Sequence, residues 1–347
     1  MFHYIRYMIL LLLLLLVAVP VFSEAEFELI PRGTRSLAMG GTGVVASNDA
    51  YAAFHNPSAL CRTSRFETAV EYSPMWDLGD DIGNGGATIL FADGLSLSTA
   101  FSRAEVNGIP IYPDLSGDSY EDRIVNQAIR STGKSYGSLQ NSQDLLIISM
   151  ARWFRLNART GEFSRLSIPL TLSGGASLKF QRQMFSVETG TLAPDYTGMS
   201  TDIDGGVLAI FDLDRNMTTG TTTRSFSLGL VFKNMLASSM TYNSDRLYRD
   251  EGERIRTFAF GYIQNIERIQ GNLEATIEFT KRGDQKIERF GGEVFFLNKW
   301  AVRGGYIDGS PTFGFGFTHK NIGIDWAYMH HELSPQPYKI SLSYQLN

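Results

Sequence analysis

The sequence has a single cysteine, few charged residues and no apolar run long enough to form a membrane-spanning helix. Cys61 has no second cysteine to pair with, so an internal disulfide is excluded and the fold depends on packing and strand pairing. Charged residues are 19% of the chain and the formal net charge is -5, which excludes the basic balance expected of a nucleic-acid-binding protein. The longest apolar run, residues 9–19, is shorter than the roughly 18 to 20 residues that a helix needs to cross a bilayer.

This apolar run has the position and the flanks of a secretory signal. One basic residue, Arg6, precedes seven consecutive leucines, and Ser23 and Ala25 follow the run. A positive end, an apolar core and a small-residue cleavage site are typical of a segment that is removed after export. We therefore predict that residues 1–25 are a signal peptide, cleaved after Ser23 or Ala25.

Alternation of apolar and polar residues dominates the rest of the chain. From Glu67 onward the period is two, as in β strands, and Phe313, Phe315 and Phe317 illustrate it by sharing one face opposite glycine and threonine. A content of 34 glycines and 12% aromatic residues suits strands joined by tight turns. The pattern predicts about fourteen strands, near residues 67–75, 85–92, 95–106, 144–154, 168–185, 205–217, 224–235, 254–266, 271–281, 286–297, 300–308, 311–319, 322–332 and 338–346.

The links between these strands favour a membrane barrel. A soluble sandwich also alternates, but it buries its apolar face. Here the odd-numbered links are mostly longer than the even-numbered ones, as in outer-membrane barrels with long outer loops and short periplasmic turns. Strands in hydrocarbon must also close into a ring, because unpaired backbone groups are costly there. We predict an all-β fold in which residues 67–347 form an about 14-stranded antiparallel transmembrane β-barrel, with an exported soluble all-β enzyme as an alternative.

The segment before the first predicted strand has no regular period. Residues 26–66 are rich in glycine and alanine and contain two prolines. A barrel of about fourteen strands has a lumen wider than its own side chains fill, so a segment of this size is suited to block it. We predict that residues 26–66 form an N-terminal hatch that plugs the barrel. Inward glycines would leave room for it, namely Gly291, Gly305, Gly314, Gly316 and Gly323.

Short motifs at both ends of the chain carry a resemblance to a known family. Residues 38–43 (AMGGTG), 48–50 (NDA) and 56–60 (NPSAL) resemble the hatch of the FadL-type outer-membrane long-chain fatty-acid transporter superfamily. Ser58 stands where that pattern usually has alanine. Residues 290–328 resemble PorV-like barrels of the same superfamily.

This resemblance implies a location and a function. It implies a monomeric barrel in the bacterial cell outer membrane, inserted by the outer-membrane assembly machinery and surrounded by membrane lipid. Its substrates would be hydrophobic or amphipathic small molecules, above all long-chain fatty acids, carried inward by diffusion without catalysis or cofactors. Some members of the superfamily resemble shuttles or scaffolds for protein secretion, and this role is the alternative.

The hatch motifs supply the candidate gating residues. Gly40, Gly41 and Gly43 allow tight turns and close packing against a wall. Asn56 precedes Pro57 and is therefore restricted to an extended conformation. By the resemblance, these five residues also lie in the segment whose movement opens a substrate path. A dinucleotide-binding reading of the glycines is rejected, because that fingerprint needs a strand before it and a helix after it.

Charged side chains on the predicted inward face are the remaining candidates. Most of them should pair across strands and hold the wall and the hatch together, because a charge removed from water needs a partner. The alternative is that one cation receives the head group of an acidic amphiphile, with Arg32, Arg35 and Arg303 as the candidates. The five histidines do not form a ligand set, so no metal site is predicted. The inward charges are Lys233, Glu274, Glu278, Arg289, Glu293, Arg303, Asp325 and Lys339.

Overall fold

A computed structural model describes most of the chain after the predicted signal peptide. The described residues are 31–75, 80–111, 137–159, 167–189, 196–215, 222–243, 249–330 and 338–346. The predicted signal peptide, residues 1–25, lies outside them. Within these ranges, the helices are all too short or too polar to traverse a bilayer.

The described part of the chain consists of a short helical segment followed by strands. Helix α1 spans Thr34–Ala38, α2 spans Ala52–His55, and a 3₁₀ helix spans Pro57–Arg62. A further 3₁₀ turn, Glu267–Ile269, lies between two strands. The strands are β1 Phe66–Met75, β2 Asp80–Leu90, β3 Leu95–Ile111, β4 Gly137–Arg159, β5 Ser167–Thr189, β6 Tyr196–Arg215, β7 Thr222–Lys233, β8 Ser239–Tyr242, β9 Arg249–Glu251, β10 Ile255–Ile266, β11 Gly271–Arg282, β12 Gln285–Phe296, β13 Trp300–Ile307, β14 Ser310–His319, β15 Ile322–Met329 and β16 Tyr338–Leu346.

Fourteen of these strands close into an antiparallel ring. Each strand pairs with its neighbour in sequence, β7 pairs with β10, and β1 closes the ring against β16, with Phe66 opposite Leu346. Strands β8 and β9 lie outside the ring as a small hairpin paired to the end of β6. The predicted antiparallel barrel of about fourteen strands is confirmed.

The orientation of the side chains is that of a membrane barrel. Phe313 and Phe315 are 44% and 54% exposed on the outer face, whereas Gly314 and Gly316 between them are buried toward the lumen. Outward apolar residues recur on most strands of the ring. The wall therefore presents its apolar face to lipid, and the soluble sandwich is excluded.

Several strands are longer than the alternation predicts. Strand β4 pairs with β5 from Ser138, opposite Thr189, to Arg159, opposite Ser167. The prediction starts β4 at residue 144 and ends β5 at 185, and it omits β8 and β9. The missed part of β4 carries polar residues on both faces, such as Gln140 and Asn141, so period two is lost although backbone pairing continues. The missed hairpin strands are too short to show a period.

The core of the molecule lies between the hatch and the wall. The described hatch is residues 31–65, and the first strand begins at Phe66, one residue before the predicted start. One buried cluster joins Val44, Val45 and Leu60 of the hatch to Leu208 and Val231 of the wall. A second cluster joins the hatch near Tyr51 and Phe54 to β3 and β4. The hatch thus takes the place of the hydrophobic core that an empty barrel lacks.

Candidate functional site

The candidate site is the contact between the hatch and the barrel wall. At its centre the chain leaves helix α1 through Gly40 and Gly41, whose φ angles of 69° and 72° lie in the left-handed region that favours glycine. Gly40 also donates its backbone N–H to Thr312 Oγ1 at 2.9 Å. A Cβ atom at Gly40 would lie 2.3 Å from the carbonyl oxygen of Phe290, so this turn touches the wall backbone directly.

Glycines of the wall form the other half of this contact. A Cβ atom at Gly305 would lie 2.1 Å from Gly40 N, and one at Gly291 would lie 2.3 Å from the Met39 carbonyl oxygen. A Cβ atom at Gly314 would lie 2.6 Å from the side-chain Cβ of Ala38, another hatch residue. The predicted space at these three inward glycines is therefore filled by the hatch, whereas Gly316 and Gly323 face wall side chains, namely Arg303 with Asp325 and Ser343.

A wall carboxylate holds the next turn of the hatch. The backbone N–H groups of Gly43 and Val44 both donate to Glu278 Oε1, at 2.7 and 2.6 Å. Gly43 also packs on the ring of His55, where a Cβ atom would lie 2.3 Å from Cγ. A side chain at position 43 would therefore separate the two helical parts of the hatch.

The Asn-Pro motif fixes the end of the hatch. Asn56 is extended, with φ −154° and ψ 111°, as its position before Pro57 predicts. Its amide donates to Val44 O at 2.8 Å and accepts from the N–H of Ser58 at 3.0 Å, which caps the 3₁₀ helix. Asn56 and Pro57 thus join the two turns of the hatch.

The three candidate ligand-binding arginines are all placed inside the barrel. The Arg35 guanidinium donates to Glu274 Oε2 at 2.8 Å, to Glu293 Oε2 at 3.0 Å and to the carbonyl oxygen of Ala46 at 2.6 Å. Arg303 bonds Glu293 and Asp325. These two arginines connect the hatch to β11, β12, β13 and β15.

Arg32 has a different environment from the other two arginines. Its Nε donates to Ser102 Oγ at 3.2 Å, and its guanidinium lies 5.3 Å from the centre of the Phe54 ring. Lys339 and Lys233 anchor the same end of the hatch, donating to Pro31 O at 2.8 Å and to Phe54 O at 2.7 Å. The inward charges of the wall therefore bind the hatch from several sides.

An apolar recess lies on the outer face of the wall, directly behind the Asn-Pro motif. This outer recess has a volume of about 770 Å³ and opens on the lipid-facing side of β4 to β7. Its lining includes Met150, Gly174, Ala176, Gly205, Leu230 and Phe232.

The wall between the outer recess and the hatch consists mainly of backbone atoms, because the residues there are glycine and alanine. Gly175 pairs with Gly206, and Ala176 pairs with Gly205. On the lumen side, Cβ atoms at Gly206 and Gly175 would lie 2.0 Å from the Asn56 side chain and 2.6 Å from the Pro57 carbonyl carbon. The alternation pattern does not reveal this site. The signal that could have found it is a Gly-Gly pair in each of two neighbouring predicted strands.

His55 makes the seating of the hatch dependent on pH. Burial, with the positive charge of Lys233 nearby, lowers the pKa of His55 from 6.5 to about 3, and the neutral ring bonds Arg32 O through Nε2 at 2.6 Å. A released hatch binds this proton more readily, so the contribution of His55 to the stability of the seated state is complete above pH 6.5 and is lost, by up to about 1.4 kcal/mol per pH unit, as the pH falls below that value. We expect ion conductance through the barrel in planar bilayers to rise between pH 6.5 and 4.

The His55→Gln variant tests this origin of the pH dependence. Glutamine places an N–H near the position of ring Nε2 but does not titrate, so part of the pH dependence should disappear. The control is His319→Gln, at an exposed residue of β14. Identical conductance profiles for wild type and His55→Gln would refute the role of His55.

Comparisons with known proteins show which solved structures share this fold. No protein-family model matches the chain, and no curated protein matches it. Among solved structures, the Pseudomonas putida toluene transporter TodX aligns with a TM-score of 0.50 and 11% identity, over 94% of this chain and 98% of TodX. A TodX deltaS2S3 mutant monoaromatic hydrocarbon channel aligns with a TM-score of 0.52 and 12% identity, over 90% of this chain and 98% of the mutant channel. The CymD monoaromatic hydrocarbon channel aligns with a TM-score of 0.52 and 11% identity, over 91% of this chain and 97% of CymD.

These alignments agree with the resemblance noted in the sequence. At such low identity they show the fold alone, and they extend over nearly the whole length of the aligned channels. The predicted recognition is confirmed at the level of the fold. The chain has the fold of the aligned channels, an antiparallel fourteen-stranded barrel.

Proposed function

We propose that the protein lets hydrophobic small molecules cross the outer membrane by diffusion, without catalysis. The observation that carries this proposal is the outer recess, an apolar hollow in the lipid-facing wall that stands back to back with the hatch. A molecule dissolved in the membrane could lodge there with little loss of apolar contact. The aligned structures include a toluene transporter and a monoaromatic hydrocarbon channel, which supports the same substrate class.

Long-chain fatty acids are the proposed substrates within this class. A recess of about 770 Å³ falls within the usual range of small-molecule pockets, roughly 300–1,000 Å³. An acidic head group would meet Arg32, Arg35 or Arg303 only after the hatch shifts, because Arg35 and Arg303 bond wall carboxylates while the hatch is seated. Their role as head-group ligands therefore stays a prediction.

The proposed gate is the hatch itself, working as part of a monomer. Gly40, Gly41 and Gly43 allow the turns that touch β12 to β14, and Asn56 with Pro57 covers the glycine wall behind the outer recess. A shift of these residues would expose Gly175 and Gly206 to the lumen. Deletion of residues 33–58 tests the gate, and unchanged uptake of labelled oleate by liposomes containing that variant would contradict it.

Filling the outer recess should slow uptake. A Cβ atom at Gly174 has no neighbour within 4 Å, so Gly174→Leu occupies the recess without disturbing the wall. We expect a several-fold lower uptake of labelled oleate and of toluene by cells that carry this variant. The matched control is Gly304→Leu, at another outward glycine whose nearest atom, Thr312 O, is 3.9 Å away. Equal uptake by wild type and Gly174→Leu would exclude the recess from the path.

A scaffold in protein secretion is the second candidate function. The close contacts of Gly291 and Gly305 with the hatch backbone favour it, because a tightly seated hatch leaves little space for an acyl chain in the lumen. This function requires a stable complex with a large surface protein. Co-purification of such a protein, together with normal oleate uptake in a deletion strain, would support the scaffold over transport.

A further inference from the structure

A small polar cavity lies inside the barrel, apart from the outer recess. It has a volume of about 40 Å³ and lies between the hatch and strands β7, β10, β11 and β12. Its lining includes Arg32, Gly41 and His55 of the hatch with Lys233, Glu278 and Arg289 of the wall. We call it the hatch cavity. Its volume admits an ion or a few water molecules, since one water needs about 10–15 Å³ by this measure, but it excludes an acyl chain.

The charges that line the hatch cavity are mostly positive. Arg32, Lys233 and Arg289 contribute three cations, and Glu278 contributes the one carboxylate among the lining residues that the structure describes. One oxygen of that carboxylate already accepts two hatch N–H groups. The neighbouring His55 carries no charge at neutral pH, because burial lowers its pKa to about 3. The lining therefore carries more positive than negative charge, although Asp308 also acts on Arg289 from outside the lining.

Arg289, which lines this cavity, has a donor that is unpartnered among the described residues and lies close to Gly41, another lining residue. Its Nη1 donates to Thr280 Oγ1 at 2.9 Å, whereas its Nε is buried and has no hydrogen-bond partner among the described residues. The Nε lies beside Gly41, since a Cβ atom at Gly41 would be 3.3 Å from it. A buried charged donor without an acceptor is costly, and an anion in the hatch cavity would satisfy it.

We propose that the hatch cavity binds one small monovalent anion, such as chloride or formate, through Arg289 Nε and the positive field of Arg32 and Lys233. The anion contacts both the hatch and the wall, so its binding stabilises the seated hatch by mass action. The site is independent of the proposed transport function. It concerns a free anion, because a fatty acid could present its carboxylate there only with its chain outside the cavity.

The first test uses the intact protein in detergent and the single cysteine as a probe. Cys61 lies in the 3₁₀ helix of the hatch and is partly buried against the wall cluster, so its labelling rate by a maleimide reports hatch release. At constant ionic strength, we expect chloride, bromide and formate to slow labelling in a saturable way relative to bulky gluconate. Equal rates in all four anions would overturn the proposal. The proposal would also be overturned if decanoate slowed Cys61 labelling and the small anions did not.

Variants and diffraction complete the test. Arg289→Gln should shift the halide concentration for half-maximal protection at least several-fold, whereas Arg256→Gln, on the exposed face of β10, should leave it unchanged. Crystals of the wild-type protein grown in bromide should show an anomalous peak beside Arg289 Nε, a result that requires no variant to fold. Absence of that peak at saturating bromide, or equal halide dependence in Arg289→Gln and wild type, would overturn the proposal.

Discussion

The Gly305→Ala variant is expected to release the hatch. Its new methyl group would lie 2.1 Å from Gly40 N and 2.3 Å from the Met39 carbonyl carbon, and both are backbone atoms that cannot rotate away. Overpacking of this kind costs about 1–3 kcal/mol or more. Because about 1.4 kcal/mol corresponds to a factor of ten, Cys61 should be labelled roughly ten to a hundred times faster than in wild type. The ion conductance of Gly305→Ala in planar bilayers should also be higher than that of wild type.

The neighbouring glycine provides the control for this prediction. Gly304 is outward on the same strand, and a Cβ atom there would have its nearest neighbour, Thr312 O, at 3.9 Å. Gly304→Ala should therefore match wild type in both measurements. The pair differs only in the face of β13 that receives the methyl group. If Gly305→Ala labels as slowly as Gly304→Ala, the close contact between β13 and the hatch is not present in the membrane.

The Arg35→Met variant is expected to have an effect of similar or larger size. Arg35 is the hatch residue that bonds two wall carboxylates, Glu274 at 2.8 Å and Glu293 at 3.0 Å, and all three side chains are at least 90% buried. Removing one partner from a buried ion pair costs about 3–5 kcal/mol when the remaining charge loses its compensation. Here Glu293 keeps Arg303 and Glu274 keeps only Arg62, 3.8 Å away, so we expect the lower end of this range. We expect fast Cys61 labelling and a high conductance in planar bilayers.

Two further variants test the electrostatic origin of this effect. In Arg35→Met/Glu274→Gln the carboxylate left with only the more distant Arg62, at 3.8 Å, is neutralised, while Glu293 keeps its bond to Arg303, so the hatch should be partly restored. The surface control is Arg182→Met, whose guanidinium bonds Asp144 at 2.6 Å but is 46% exposed. Exposed pairs contribute about 0–1 kcal/mol, so this variant should behave as wild type. A double variant that labels as fast as Arg35→Met would refute charge compensation as the cause.

The barrel could be predicted because lipid imposes a simple rule on its strands. Where outward apolar residues alternate with small or polar inward ones, as at Phe313 and Phe315, the strand is found from the sequence. The rule fails where neither face meets hydrocarbon, as at Gln140 and Asn141 of β4. There the backbone still pairs, but the side chains carry no period.

The candidate site was predictable only in part. The restriction of Asn56 before Pro57 is local and depends on two adjacent residues, so the sequence predicts it. The partners of Arg35 are Glu274 and Glu293, which are remote in sequence, and no local pattern selects them over a ligand. In the same way, inward glycines can be identified, but the structure is needed to tell Gly305, which touches the hatch, from Gly323, which does not.

The pairing of β1 with β16 has a consequence for how the protein forms. Across this junction Lys339 bonds Glu71 at 2.9 Å, and the same two side chains hold Pro31 O and Thr34 Oγ1 of the hatch. Strands so distant in sequence meet late, because a long chain segment must be ordered first. Lys339 and Glu71, which meet across this last strand pairing, also hold the hatch, so we expect closure of the barrel and seating of the hatch to occur together during folding.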